Sequence, residues 1–278
     1  MRNILFGTKE LHTLAVLGVL CLPVIASASS YGTDPAGAPG TTPQLPNTVS
    51  CNRVPVCTDT QIYNGEAFAG PGLIWRTNFV ASTLELYDVN TCQVIKRCPA
   101  PGAVAPSELT LLNGILYHYD FGTGLLYGID PNTCQVVYTC NPPGDDLGEG
   151  LTNDGTALWK GDSQNLYRFI PSASAGCQVV KVCPNPAGDS ADGLSFCGEH
   201  LIMLGYSGNL YEIDPASCTV LGLCPLNAGA SGNGITSDRT AILYVDDVAP
   251  KLDRVDVGCR IPTPTLKESW GHMKSVYR

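Results

Sequence analysis

One segment recurs along the chain. It reads LYDVNTCQVIKRCPAPG from Leu86, LYGIDPNTCQVVYTCNPPG from Leu126, LYRFIPSASAGCQVVKVCPNPAG from Leu166 and LYEIDPASCTVLGLCPLNAG from Leu210, with a shortened LDRVDVGC from Leu252. The starts lie 40, 40, 44 and 42 residues apart. A period near 42 marks an array of structural units, each unable to bury its apolar face alone. Apolar residues alternate and turn residues return every 8–12 positions, so the units are strand-built and not helical. Four short strands in 40–45 residues describe one blade of a β-propeller. The expected fold is therefore all-β.

The third unit shows the four strands. An inner strand starts at Gly150 (GLTN), and Asp154-Gly155 supplies a hairpin turn. ALWKGD (157–162) forms the second strand, NLYRFIP (165–171) the third, and CQVVKVC (177–183) holds the outer one. Other inner strands begin at Gly65, Glu108, Gly193 and Gly234, which predicts five blades. A C-x5-C segment precedes the first inner strand, and none follows the last unit. Circular closure accounts for both: residues 51–57 are expected to supply the outer strand of the blade built by 234–257, leaving few exposed edges.

The chain has 13 cysteines, and ten form five C-x5-C pairs: Cys51/Cys57, Cys92/Cys98, Cys134/Cys140, Cys177/Cys183 and Cys218/Cys224. Positions six apart on a straight strand are roughly 20 Å apart, whereas a disulfide needs Cα atoms within about 7 Å. Either the segment is looped or the partners lie elsewhere. Because both cysteines recur as a unit and outer strands of neighbouring blades splay apart, pairing inside each repeat is expected. Cys197 and Cys259 remain, in turns expected on one side of the disc, and are a candidate pair. Zinc and redox motifs need closer spacings, C-x2-4-C and C-x-x-C, which are absent, so the cysteines read as structural staples.

The flanks set the compartment. Arg2 and Lys9, an apolar run from Leu14 to Ile25 and Ala26-Ser27-Ala28 read as a secretory signal peptide over 1–28, its apolar run too short to span a bilayer. Removing it takes Arg2, Lys9, Glu10 and Cys21, shifts the charge from −9 to −10, and leaves an even cysteine count. Residues 29–50 are Gly/Pro/Thr-rich and read as a linker. The propeller is expected over 51–261, with a linker and tail over 262–278 ending in SWGHMKSVYR. The expected location is exported: bacterial periplasm, cell surface or outside the cell, with no transmembrane span in the mature chain. A net charge of −9 argues against nucleic acid as a partner.

The residues just before each inner strand fall at one channel mouth: Asn64, Ser107, Glu149, Asp192 and Asn233. Second strands end on the same side, at Thr77, Asp120, Asp162, Gly205 and Asp246, and nearby loops add Asp145, Asp146 and Asp189. Oxygen ligands of this kind suit Ca²⁺ or another divalent cation. Glu149, Asp192 and Asn233, in the matching EGLT, DGLS and NGIT, are the candidate metal set, and Asn64, Ser107, Asp120, Asp162 and Asp246 the candidate channel-mouth ligand set. The same residue types also cap turns. Past the signal only His118 and His200 remain, both in second strands, so a Ser-His-Asp triad is unsupported.

LYGIDPNTCQVV and LYEIDPASCTV resemble the repeat signature of NHL- and YVTN-type propellers, with Cys in place of the usual turn Gly. The mouth residues resemble those of the SMP-30/gluconolactonase family, which binds a divalent cation with Glu, Asn and Asp and opens lactones. That resemblance implies roles for Glu149 or Glu66, Asn233 and Asp192. The family has six blades, and the Asn and Asp occur here in the opposite order. GEGLTNDG from Gly148 also resembles plant-type glutaminyl cyclotransferases, which have five blades. The leading expectation is an exported non-catalytic propeller binding a protein, glycan or surface polymer through one face. The alternatives are a cation-dependent lactonase-type hydrolase and a glutaminyl cyclotransferase.

Overall fold

The computed structural model describes residues 52–58, 61–102, 105–145, 150–172, 174–226, 232–238, 241–246 and 251–256. The expected signal peptide, the linker and the C-terminal tail lie outside them. Among the described residues there is no helix, and none is therefore long and apolar enough to cross a membrane. Twenty strands form five four-stranded antiparallel sheets arranged in a ring. Blade A comprises β2 (Tyr63–Gly70), β3 (Leu73–Asn78), β4 (Thr83–Asp88) and β5 (Gln93–Pro99). Blade B comprises β6 (Pro106–Leu112), β7 (Ile115–Asp120), β8 (Leu125–Asp130) and β9 (Gln135–Cys140). Blade C comprises β10 (Leu151–Asn153), β11 (Leu158–Gly161), β12 (Asn165–Ser172) and β13 (Gly176–Pro184). Blade D comprises β14 (Ala191–Cys197), β15 (His200–Gly205), β16 (Asn209–Asp214) and β17 (Thr219–Pro225). Blade E comprises β18 (Gly232–Ser237), β19 (Ile242–Asp246), β20 (Lys251–Asp256) and, as its outer strand, β1 (Asn52–Thr58). The predicted five blades and N-terminal closure are both present.

Apolar clusters sit between adjacent blades. Trp75 and Leu84 of blade A, for example, pack with Leu109, Leu116 and Ile129 of blade B. Trp159 likewise belongs to the blade C–D interface, as expected of a core residue. Five sheets around one axis bring their inner strands unusually close. A Cβ on Gly234 would lie 1.9 Å from the Asn64 carbonyl oxygen, and one on Gly65 would lie 2.3 Å from the Glu108 Cα. Glycine recurs at the equivalent positions 65, 150, 193 and 234 for this steric reason. Outer strands are open edges, and each carries a register shift, on β1 between Pro55 and Cys57 and on the others opposite the middle of the third strand. Such bulges twist an edge away from further pairing.

The disulfides differ from the expectation. Cys57 pairs with Cys92, Cys98 with Cys134, Cys140 with Cys177 and Cys183 with Cys218, at Cα separations of 5.4–5.8 Å. In four of the five blades the last cysteine of the outer strand thus reaches the start of the next blade's outer strand or the turn before it. The two cysteines of one repeat lie at opposite ends of an extended strand and cannot meet. In three of the links the turn cysteine is left-handed, Cys92, Cys134 and Cys218 having φ of 55°, 61° and 59°. The ammonium of Lys96 donates to the carbonyls of Pro131 and Asn132, and that of Lys181 to Pro215 and Ala216, fastening the same junctions. Cys197 and Cys224 are also disulfide-bonded. Cys51 and Cys259 lie outside the described residues.

Peptide mapping of the unreduced protein is expected to recover the four inter-blade links and no Cys-x5-Cys link. The double replacement Cys140→Ala with Cys177→Ala is expected to lower unfolding free energy by about 3–4 kcal/mol, given a loop of 37 residues, read from urea unfolding.

Candidate functional site

At the mouth where inner strands begin, the polar side chains are engaged in local structure. Asp120 accepts hydrogen bonds from the backbone N–H of Thr123 at 2.8 Å and of Ala105 at 3.3 Å. Asp162 accepts from Gln164, Asn165 and Asp145 N–H groups at 2.7, 2.6 and 3.2 Å. Asp189 accepts from Ser207 Oγ at 2.5 Å. Asn64 donates to the Pro106 carbonyl at 3.3 Å, and Ser107 is buried. Register places Asn78, not Thr77, at the position equivalent to Asp120 and Asp162, because Arg76 and His118 pair with the equivalent inner residues Glu66 and Leu109. Asn78 caps its own turn through the Ala81 N–H at 2.9 Å. Asp192 is half-buried and has bonding partners. Glu149 and the side chains of Asn233 and Asp246 lie outside the described residues, and so does Asp146. Among the described residues no three His, Cys, Asp or Glu side chains are grouped to hold a metal ion.

The opposite mouth is concave. All five inner strands contribute to a cavity of about 430 Å³. Its wall is a row of side chains at equivalent positions, set by pairing with the second strands: Thr110 opposite Tyr117, Thr152 opposite Trp159, Ser195 opposite Ile202 and Thr236 opposite Leu243. Blade A has Ala67 at this position. Ser237 adds a hydroxyl, Asn153 an amide, and Phe68 and Phe196 add aromatic surface. The Asn153 amide donates to Thr110 Oγ1 at 2.7 Å and to the Leu111 carbonyl at 3.1 Å. Asp154 is the one carboxylate on this wall, and it is fully used. Burial raises its proton affinity, but hydrogen bonds from Arg168 at 2.6 Å, the Thr156 hydroxyl and Trp159 Nε1 outweigh that and hold it ionised well below the usual range. Among the described residues the cavity therefore presents hydroxyls and rings, with the Asp154 charge and the Asn153 amide already bonded.

The sequence carries a signal for this row. LTL (109–111), LTN (151–153), LSF (194–196) and ITS (235–237) each follow an interior Leu or Ile with Thr or Ser. Periodicity alone does not say which end of the channel is open.

Beneath the row, the positions occupied by Leu109, Leu151, Leu194 and Ile235 carry Glu66 in blade A. Glu66 is 1% exposed, and burial pushes its proton affinity well above the ordinary carboxylate value, against the pull of Arg76. Arg76 lies 3.5 Å from the ring centroids of both Tyr63 and Tyr87 and donates to the Tyr63 hydroxyl at 2.7 Å. His118 is fully buried and stacked on Tyr127, and burial pushes its pKa down to about 4, with Asp120 and backbone carbonyls offsetting part of the shift. His200 lies nearer the surface and meets Glu212 at 2.5 Å. His118 is thus a packing residue, whereas His200 is partly exposed and paired.

No family model matches the chain, and no curated protein matches it. Among solved structures it is similar to a glutaminyl cyclase from Myxococcus xanthus, at a TM-score of 0.61 and 20% identity, covering 76% of this chain and 99% of that one. Weaker likenesses join it to a virginiamycin B lyase from Staphylococcus aureus (TM-score 0.46, 17% identity, 70% of this chain and 66% of that) and to the Pan2 WD40 domain of Neurospora crassa (0.43, 12%, 70% and 63%). The likeness is one of fold, the β-propeller. An NHL or SMP-30 membership finds no support in these comparisons.

The two displaced titrations predict opposite pH limbs. As pH falls below 6.5 the unfolded chain protonates His118 first, so stability is expected to drop until about pH 4, by about 3 kcal/mol in all. His118→Met, which copies Met203 in the equivalent place, is expected to flatten that limb. For Glu66 the folded form holds the proton longer, so stability declines as pH rises above 4.5 towards the raised folded value. Glu66→Gln is expected to remove this decline. Urea unfolding of both variants from pH 4 to 8 checks the signs.

Proposed function

We propose that this chain is an exported, non-catalytic binding propeller that holds its ligand at the mouth where the inner strands end. The observation behind this reading is the cavity walled by Thr110, Thr152, Ser195 and Thr236, hydroxyls from four equivalent positions that converge with the Asn153 amide on one space. A concave site with a few placed polar groups is the usual form of a small-ligand site. Four described inter-blade disulfides suit an oxidising compartment. A lactonase reading rests on Glu149, Asp192 and Asn233 at the other mouth, of which the side chain of Asp192 alone is among the described residues. A glutaminyl cyclase reading has the fold likeness behind it.

The test places a bulky side chain in the cavity. Ligands found by thermal shift on the full mature protein are expected to lose their effect in Ser195→Trp while far-UV circular dichroism stays unchanged. A peptide with N-terminal Gln is expected to remain uncyclised. Cyclisation of that peptide, or a stoichiometric divalent cation lost in Asp192→Asn, would replace the binding reading with one of the enzymes.

A further inference from the structure

A second cavity, of about 500 Å³, lies between blades C and D and shares Asp154, Phe196 and Gly198 with the central one. The two adjoin at these residues. The second runs outward between the β10–β11 hairpin side of blade C and the turns of blade D, as far as Pro215 and Ala216 at the rim. The site is an elongated groove with its deep end on the channel axis.

Its charges are mostly spoken for. Arg168 donates to Asp154 at 2.6 Å and to the Thr156 hydroxyl at 2.7 Å. Lys181 donates to the carbonyls of Pro215 and Ala216 at 2.6 and 2.8 Å. The remaining charged group on the groove is Glu199, which is exposed. An acidic polymer would meet that carboxylate on a chain of net charge −9, with both neighbouring cations already bonded. An extended peptide draws most of its affinity from a free strand edge, and here the flanking walls are turns and side chains. What remains fits a ligand rich in groups that both donate and accept hydrogen bonds, without charge, and with apolar C–H faces to lie against Phe196. Thr and Ser hydroxyls have the same dual character.

We propose that the groove takes a neutral oligosaccharide of several sugar units, one end seated among Thr152, Ser195 and Thr236 and the rest lying outward past Phe196 and Glu199. This rests on the binding reading above and names the ligand class for the same site.

Isothermal titration of the full mature protein tests it. The probes are β-1,4-linked glucose, mannose and N-acetylglucosamine oligomers of one to six units, a sulfated oligosaccharide and a Ser/Thr-rich hexapeptide. At least one neutral series is expected to bind with Kd tighter than about 1 mM, and to tighten at least about tenfold from one unit to four. Thr152→Val is expected to weaken every length about tenfold, the size of one lost hydrogen bond. The surface change Glu199→Ala is expected to weaken long oligomers and spare short ones, and Phe196→Ala, which lines both cavities, to weaken every length. Absence of binding by all neutral series, tighter binding of the sulfated probe, or no dependence on length overturns the proposal. Hexapeptide binding that Ser195→Trp abolishes overturns the sugar assignment and leaves the binding propeller standing. Cyclisation of an N-terminal Gln peptide overturns the binding reading itself.

Discussion

Closing five sheets around one axis forces their inner strands together, and the rest of the molecule follows from that crowding. At Gly65 and Gly234 the neighbouring backbone stands where a Cβ would go, and at Gly150 and Gly193 a Cβ would meet the next inner strand at 2.8 and 3.2 Å. The channel is tight there. Towards the other end the inner strands carry Thr110, Thr152, Ser195 and Thr236, and the space widens into the cavity. The ring closes within blade E through the β1–β20 pairing, supported by an ion pair from Arg53 to Asp253 at 2.5 Å.

The interior is not uniform around the ring. Blades D and E present Met203, Leu204 and Ile242 to their neighbours, whereas blade A buries Arg76, Glu66 and Glu85 together. Arg76 and Glu85 are 3.7 Å apart, each 2% exposed. A buried pair of this kind adds little net stability, since desolvation offsets attraction, but removing one partner alone is costly. Disulfides at the rim work on a different term, restricting the unfolded chain. Stability thus comes from apolar junctions and covalent links, while the polar cluster is held within blade A.

Much of the fold was legible. The 40- to 44-residue spacing and the alternating strands imply blades, and a C-x5-C segment ahead of the first inner strand implies closure, because both reflect short-range patterns. The cysteine partners were not legible. Each Cys140–Cys177 type link joins residues 35–37 apart whose proximity depends on how two separate sheets pack. The mouth carboxylates illustrate the same limit. Asp120 and Asp162 look like ligands by type, but their oxygens are turned into adjacent backbone N–H groups.

The sequence by itself determined the number of blades, the strand order within them, the closing strand and the alternation of Leu or Ile with Thr or Ser, since all of these are local and periodic. Tertiary structure alone decided which cysteines meet, and that four hydroxyls at residues 110, 152, 195 and 236 share one cavity. These depend on the angle and distance between whole sheets, quantities set by side-chain packing across interfaces and carried by no single repeat.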